Sequence, residues 1–349
     1  MASAPDRPAP RAPRIRDVAE RAGVGIGTVS RVLNDSAGVA EATRVRVRAV
    51  MDELGYRPSA TARNLSLGRT QTLGVIAPFF TSPSVVERLR GIDDVVGRSA
   101  YDLTLFNIET LDQRRAALRR FARRDRVDGV IVISMPLTPA EVRALYRDGV
   151  PTVLVDVAHS LVPNVAIDDV AGGAMAVGHL LDAGHRDIAF VGDVENSPFA
   201  FASSQRRLEG MREVMGEAGV ALPARYVRRG PYGRESALEL TRELLALRRR
   251  PTAIFAASDV QAFGVLDAAA RAGLSVPGDL SVIGFDDIEL AAAIGLTTVR
   301  QPLRESGRVG AHLLLAALDG EETLSPREPP PALPALEVVV RRTVSQPLT

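Results

Sequence analysis

From Thr72 onward the sequence alternates between short apolar runs and amphipathic helical patterns, and this alternation restricts the fold more than any other feature. β-rich runs fall at 73–77, 103–106, 130–133, Thr152–Val155, 188–191, Ala253–Ala256 and 281–283. Between them, 84–99 carries Val86, Leu89 and Val96 on one helical face. Thr138-Pro139-Ala140-Glu141 is a capping box with proline at the first helical position. Alternating strands and helices predict parallel sheets covered on both faces. About 275 residues of this pattern exceed one ordinary core, and they predict two doubly wound subdomains.

The first 70 residues follow a different rule. Helical patterns at Ile15–Ala22 and Ile26–Leu33 are separated only by Gly23, Val24 and Gly25, the length and glycine content that a helix-turn-helix corner needs. A third pattern sets Val47, Val50, Met51 and Leu54 at i, i+3, i+4 and i+7. One face of that helix can close a small core with Val18, Val29 and Val32, and Gly55 ends it. The second helix would then enter a DNA major groove. With Val29 and Val32 turned inward, Thr28, Ser30, Arg31 and Asn34 remain for the groove. Short hydroxyl and amide groups suit phosphate oxygens, whereas arginine forks onto guanine O6 and N7. A merely solvated helix face is the plainer alternative, and the three-helix setting weighs against it.

Charge placement agrees with this division. Residues 1–70 carry 12 Arg against 7 acidic residues, while the remainder carries 31 against 35. Every basic residue is Arg, so position rather than frequency carries the point. Residues 1–13 lack a hydrophobic period and read as a disordered tail. The chain has no run of about 18 apolar residues, and its start lacks the apolar middle of an export signal. A cytoplasmic protein without a membrane span is therefore expected.

Zero cysteines exclude disulfides and thiolate metal sites. Gly172, Gly173 and Gly178 lie within a helical run and lack G-x-G-x-x-G order, so close helix packing explains them better than a dinucleotide loop. His159, His179, His185 and His312 are scattered, with no H-E-x-x-H motif and no G-x-S-x-G elbow in the chain. No catalytic residue, metal or cofactor is expected.

DVAERAGVGIGTVSRVLN followed by TRVRVRAVMDELGYRPS resembles the DNA-binding head of the lactose-repressor/galactose-repressor family. LGVIAPFFTSP, PTVLVDV, HLLDAGHRDIAFVGD, RRLEGMRE, PTAIFAASD, LSVIGFDD and LTTVRQPL resemble recurring segments of its body, so the likeness covers nearly the whole chain. The resemblance implies an all-α helix-turn-helix head at 14–58 and a hinge helix with linker at 59–71. It further implies an α/β body like a periplasmic binding protein at 72–349. One subdomain would span about 72–165 and 301–328, the other about 166–300 and 329–349. In that family the positions of Ile26 and Gly27 help choose the operator, Arg31 reads guanine, and Ser59 and Ala62 belong to the hinge. Leu65 would wedge between base pairs in the minor groove. Arg14, Gly25 and Ala40 stand where Thr, Ser and Ser commonly cap the three helices; alanine at a cap costs about 1 kcal/mol, which predicts a weakly capped head.

Ligands of open α/β sheets bind beyond the carboxyl ends of the strands. The residues there are polar: Asp156, Ser258 and Asp259, Asp286 and Asp287, and Gln301. A polyhydroxylated sugar needs carboxylates and amides, an Arg fork and an aromatic face. The resemblance implies Arg207 as the fork, Asp156, Ser258 and Asp286 as hydroxyl partners, Tyr232 as a stacking ring, and Phe79, Phe80 and Ser82 as the first cleft loop. Asp259 and Asp287 precede helical patterns, so capping competes with ligand contact there. Ser82-Pro83-Ser84-Val85 stands where the family often reads Asn-Pro-Phe-Phe, leaving Tyr232 or Phe79 to supply the missing ring.

The implied protein is a homodimeric regulator, most simply a repressor. It would bind an approximately palindromic operator, because a two-fold dimer imposes two-fold symmetry on its site. Its small-molecule effector would be a sugar or sugar derivative, with a nucleoside or nucleobase as the alternative. A solute receptor without DNA binding is the remaining alternative, disfavoured by the head. No leucine heptad follows Arg342, which favours a dimer over a tetramer.

Overall fold

The computed structural model describes residues 13–33, 36–57, 69–121, 123–147, 149–194, 202–320 and 332–347. They form two compact units: residues 1–71 with 124–127, and residues 72–123 with 128–349. The first contains α1 (Ile15–Ala22), α2 (Ile26–Leu33) and α3 (Glu41–Leu54). Val18, Ala19 and Ala22 meet Val29, Val32, Val47 and Val50 in one buried cluster, with Met51 and Leu54 packed against it. Gly23 and Gly55 end α1 and α3 in the left-handed region, at φ 65° and 62°. Each is followed by an N–H reaching back over the last turn, Val24 to the Ala19 carbonyl at 3.0 Å and Tyr56 to that of Met51 at 2.8 Å. The caps are as thin as the sequence predicts: neither Arg14 nor Ala40 offers a side-chain cap. Asp17 compensates at α1 by accepting the Arg14 backbone N–H at 2.6 Å. Of the expected hinge helix and linker, 59–71, residues 59–68 lie outside the described residues.

The α/β unit holds two sheets among the described residues. The first is built from β1 (Thr72–Pro78), β2 (Asp102–Ile108), β3 (Gly129–Ile133), β4 (Thr152–Val155) and β5 (Asn164–Val165), in the order β2-β1-β3-β4-β5 and parallel throughout. Its helices are α4 (Pro83–Val96), α5 (Leu111–Phe121) and α6 (Pro139–Arg147). The Thr138 box caps α6: Glu141 accepts the Thr138 N–H at 2.7 Å, and Thr138 Oγ1 accepts that of Glu141 at 3.3 Å.

The chain then enters the second half through α7 (Asp169–Asp182), β6 (Ile188–Asp193), α8 (Ser203–Glu217), β7 (Val227–Gly230) and α9 (Arg234–Leu245). It continues with β8 (Ala253–Ala256), α10 (Asp259–Arg271), β9 (Ser281–Asp286), α11 (Glu289–Ile294) and β10 (Thr297–Arg300). From there α12 (Leu303–Asp319) returns to pack on α4, β3 and β4, and β11 (Glu337–Val339) closes the second sheet. That sheet runs β11-β10-β9-β8-β6-β7, with only β11 antiparallel. β3, β4 and β8 are buried at every position, which is why they read as continuous apolar runs. No helix among the described residues is long and apolar enough to cross a membrane.

Three helix crossings depend on glycine; between α9 and α10, a Cβ at Gly264 would lie 2.2 Å from the Arg234 carbonyl oxygen. On the α4–α12 side, a Cβ at Gly91 would lie 1.9 Å from the Arg304 carbonyl oxygen, and one at Gly307 would lie 2.1 Å from that of Arg88. On the α7–α8 side, Gly173 and Gly210 meet the carbonyls of Arg207 and Val170 at 2.0 and 1.9 Å. Close packing thus accounts for Gly173, and for Gly172, whose Cβ would strike the Phe285 ring at 2.7 Å. Gly178 is a correction to the sequence reading: a Cβ there meets nothing within 4 Å.

Candidate functional site

A cleft opens within the α/β unit where the carboxyl ends of the two sheets face each other, with about 620 Å³ of empty space counted out to its mouth. Phe79, Ser82, Asp156, Arg207, Tyr232, Ser258, Asp286 and Gln301 all line it. Phe80 does not. It is 38% exposed, and its N–H donates to Asn107 Oδ1 at 3.0 Å, which ties the residue to β2 and away from the cavity. Ser82 Oγ lies 3.1 Å from Tyr232 Oη, linking the two halves at the cleft mouth.

At the centre lies a buried chain of charges. Arg88 on α4 is 2% exposed; its Nη2 donates to Asp156 Oδ1 at 2.5 Å and to Gln301 Oε1 at 3.0 Å. Gln301 Nε2 donates in turn to Asp286 Oδ1 at 2.5 Å. Ser134 Oγ donates to the other Asp156 oxygen at 2.7 Å. Arg207 on α8 donates from Nε to Asp169 Oδ1 at 2.9 Å and from Nη1 to the Ala257 carbonyl at 2.6 Å. Its guanidinium carbon lies 3.6 Å from the centre of the Phe285 ring, and Asp286 Oδ1 is 3.8 Å from its Nη1. Burying single charges is costly, so such groups stay charged only in mutual contact.

Buried carboxyls in this region sit high for their type. Burial pushes Asp193 up to about 6, against the pull of Arg207 and the hydrogen bond from Gln261 Nε2 at 2.9 Å. Burial also pushes Asp286 up to about 6, against Arg207, Arg88 and Gln301. Asp169 is raised by its burial despite Arg207.

Ser258 is the true cap of α10, accepting the Gln261 N–H at 3.2 Å. Asp259 and Asp287 neither cap nor line this cleft. Asp259 is fully buried and holds the Ile288 N–H at 3.0 Å and the Thr298 hydroxyl at 2.5 Å. Asp287 pairs with Arg300 at 2.7 Å and Arg341 at 2.6 Å. The sequence reading missed Arg88, Ser134, Asp193 and Gln261, all of which line the cleft. Asp193 and Ser134 stand at or just beyond the ends of apolar runs, where the rule of inspecting strand ends finds them.

In the helical unit, Ile26 is 44% exposed, Gly27 and Arg31 are exposed, and Thr28 and Ser30 are half-buried, so α2 presents all five on its uncovered side. Asn34, Ser59, Ala62 and Leu65 lie outside the described residues.

Residues 14–59 match the family of bacterial regulatory proteins of the lacI type, and residues 177–344 match the periplasmic binding protein-like domain. The chain is 35% identical over 311 residues to catabolite control protein A of Priestia megaterium, covering 88% of this chain and 93% of that protein. It is 36% identical over 307 residues to the ribose operon repressor of Escherichia coli K12, covering 86% and 92%. The lac repressor dimer bound to operator and the anti-inducer ONPF matches with a TM-score of 0.80 at 27% identity, over 96% of this chain and 100% of that one. With both its units matched and its likeness running along nearly its full length, this chain belongs to the lacI family of bacterial regulatory proteins.

Proposed function

We propose that this protein is a cytoplasmic repressor that binds an approximately palindromic operator as a homodimer, and that a small neutral sugar in the cleft sets its operator affinity. The observation that carries the effector reading is the donor and acceptor set around the cavity. Arginines and an amide stand opposite carboxylates and serine hydroxyls, with Phe79 and Tyr232 beside them. Hydroxyls that both donate and accept can satisfy such a mixed ring. The ribose operon repressor, named for a sugar operon, supports the same class. On the DNA side, Arg31 reads a guanine, Ile26 and Gly27 help select the site, and Thr28 and Ser30 hold phosphates. Linkage follows if the sugar binds the operator-competent and operator-incompetent forms unequally.

The test is a thermal-shift screen of sugars, nucleosides and nucleobases, with each hit carried into an operator-binding titration. A sugar that raises the melting temperature and changes operator affinity supports the reading. A nucleobase hit replaces the effector class, and a screen in which nothing alters operator binding sinks effector control.

A further inference from the structure

We infer that Arg88, with Asp156, is a second effector-reading pair equivalent to Arg207 with Asp286, and that the two pairs together select an unphosphorylated, uncharged sugar. This deepens the sugar reading above and rests on it. The equivalence is topological. Without β11, the second sheet runs β7-β6-β8-β9-β10, which repeats the first sheet's β2-β1-β3-β4-β5. Arg88 lies on the helix that follows β1, and Arg207 on the helix that follows β6. Asp156 directly follows β4 and Asp286 ends β9, the fourth strand in each order. Both aspartates have positive φ, 69° and 122°, a conformation that non-glycine residues rarely hold without cause. Each arginine also has its backbone carbonyl against a glycine of the crossing helix, Gly307 for Arg88 and Gly173 for Arg207.

The pairs differ in how much of the guanidinium is already used. Arg207 Nε donates to Asp169, whereas Arg88 Nε is buried with no hydrogen-bond partner. Arg88 lines the cavity as a residue, while its Nε is sealed from solvent within the wall. Asp193 and Asp286 each take a donor on Oδ1, from Gln261 and Gln301, and their Oδ2 atoms take none among the described residues. Carboxylate oxygens left open in the cavity wall suit hydroxyl groups, which can donate to them. The charge balance opposes anions: Arg88 and Arg207 face Asp156, Asp193 and Asp286 in the cavity wall, with Asp169 behind Arg207. A phosphate would meet guanidiniums whose charge is already neutralised by carboxylates.

The test uses the full chain and calorimetric titration with D-ribose, D-glucose and D-galactose, followed by ribose 5-phosphate and glucose 6-phosphate. A neutral sugar should bind, with the matching ester at least about 10-fold weaker. Arg88→Lys keeps a cation for Asp156 but loses the planar fork that also holds Gln301, and it should weaken the bound sugar about 10-fold or more. Thermal unfolding without sugar reports whether that variant is folded. Monodeoxy sugars then separate contact from positioning. One deoxy position should cost affinity in the wild type and little further in Arg88→Lys, as a shared contact requires. Wild-type affinity in Arg88→Lys, or additive losses at every deoxy position, overturns this inference alone. An ester that binds as tightly as its parent also overturns it, with no variant needed. Absence of any sugar response in the wild type overturns the sugar reading and this inference together.

Discussion

Gly91 and Gly178 offer the same substitution in two helices with opposite expected signs. An alanine Cβ at Gly91 would lie 1.9 Å from the Arg304 carbonyl oxygen and 3.0 Å from the Arg308 nitrogen, both backbone atoms that cannot rotate aside. Ordinary contact begins near 3.4 Å, so α4 and α12 must part by about 1.5 Å. The seam they form includes Val85, Ile92, Val96, Ala311 and Leu314, which would lose their fit. Overpacking of this kind costs about 1–3 kcal/mol, and a backbone clash belongs at the upper end. Alanine recovers about 1 kcal/mol of helix propensity, leaving Gly91→Ala destabilised by about 2 kcal/mol. Gly178→Ala meets nothing within 4 Å and keeps only the propensity gain, about 0.5–1 kcal/mol. An α/β unit of this size shifts by about 2 °C per kcal/mol, so calorimetry should place Gly91→Ala about 4 °C below the wild type and Gly178→Ala about 1–2 °C above it. A Gly91→Ala protein as stable as the wild type, or a Gly178→Ala protein that falls with it, refutes the packing argument.

Arg31→Ala should cost about 1–3 kcal/mol on the preferred operator and relax preference at one base pair per half-site, measured by binding to a library of single-base variants; uniform weakening on all sequences would make Arg31 a phosphate contact. Asp286→Asn should weaken the effector and blunt its influence on operator binding in a fluorescence titration, since it removes an ionised acceptor from the cleft; an undiminished response would remove Asp286 from the site. Sugar affinity should drop as pH falls through about 6, where Asp193 and Asp286 take up protons, and a flat calorimetric profile from pH 5 to 8 would contradict this. Asp286 also carries a stability signature. Its folded value near 6 stands above the ordinary 3.8, so its contribution to stability is complete below about 4 and is lost as pH rises through 6. Denaturant titrations should therefore find Asp286→Asn gaining about 1 kcal/mol relative to the wild type between pH 5 and pH 8.

What the sequence reveals about this fold depends on how each element is buried. β3 and β4 are covered on both faces and announce themselves as VIVI and TVLV. β7, with the sequence VRRG, pairs among the described residues with β6 alone and is largely half-buried, so it offers neither an apolar run nor a clean alternation. β5 is two residues long and exists only through its pairing with β4. The cleft divides along similar lines. Its carboxylates follow apolar strands, where the chain must leave the sheet, and Asp156 and Asp286 can be found by position alone. Its guanidiniums come from helices, and which face of a helix meets the cleft is decided by tertiary packing. Val85, Arg88 and Ile92 lie at i, i+3 and i+7 on α4, all buried, so a lone charge on an apolar stripe was the available signal. Its meaning rests on Asp156, 68 residues away, and on a helix crossing that Gly91 and Gly307 hold close enough to bring Arg88 to the cleft wall. Phe79 and Phe80 show the same dependence within two residues. Phe79, in the left-handed region at φ 45°, lines the cavity while Phe80 beside it is exposed, and no pattern of residue types specifies that turn.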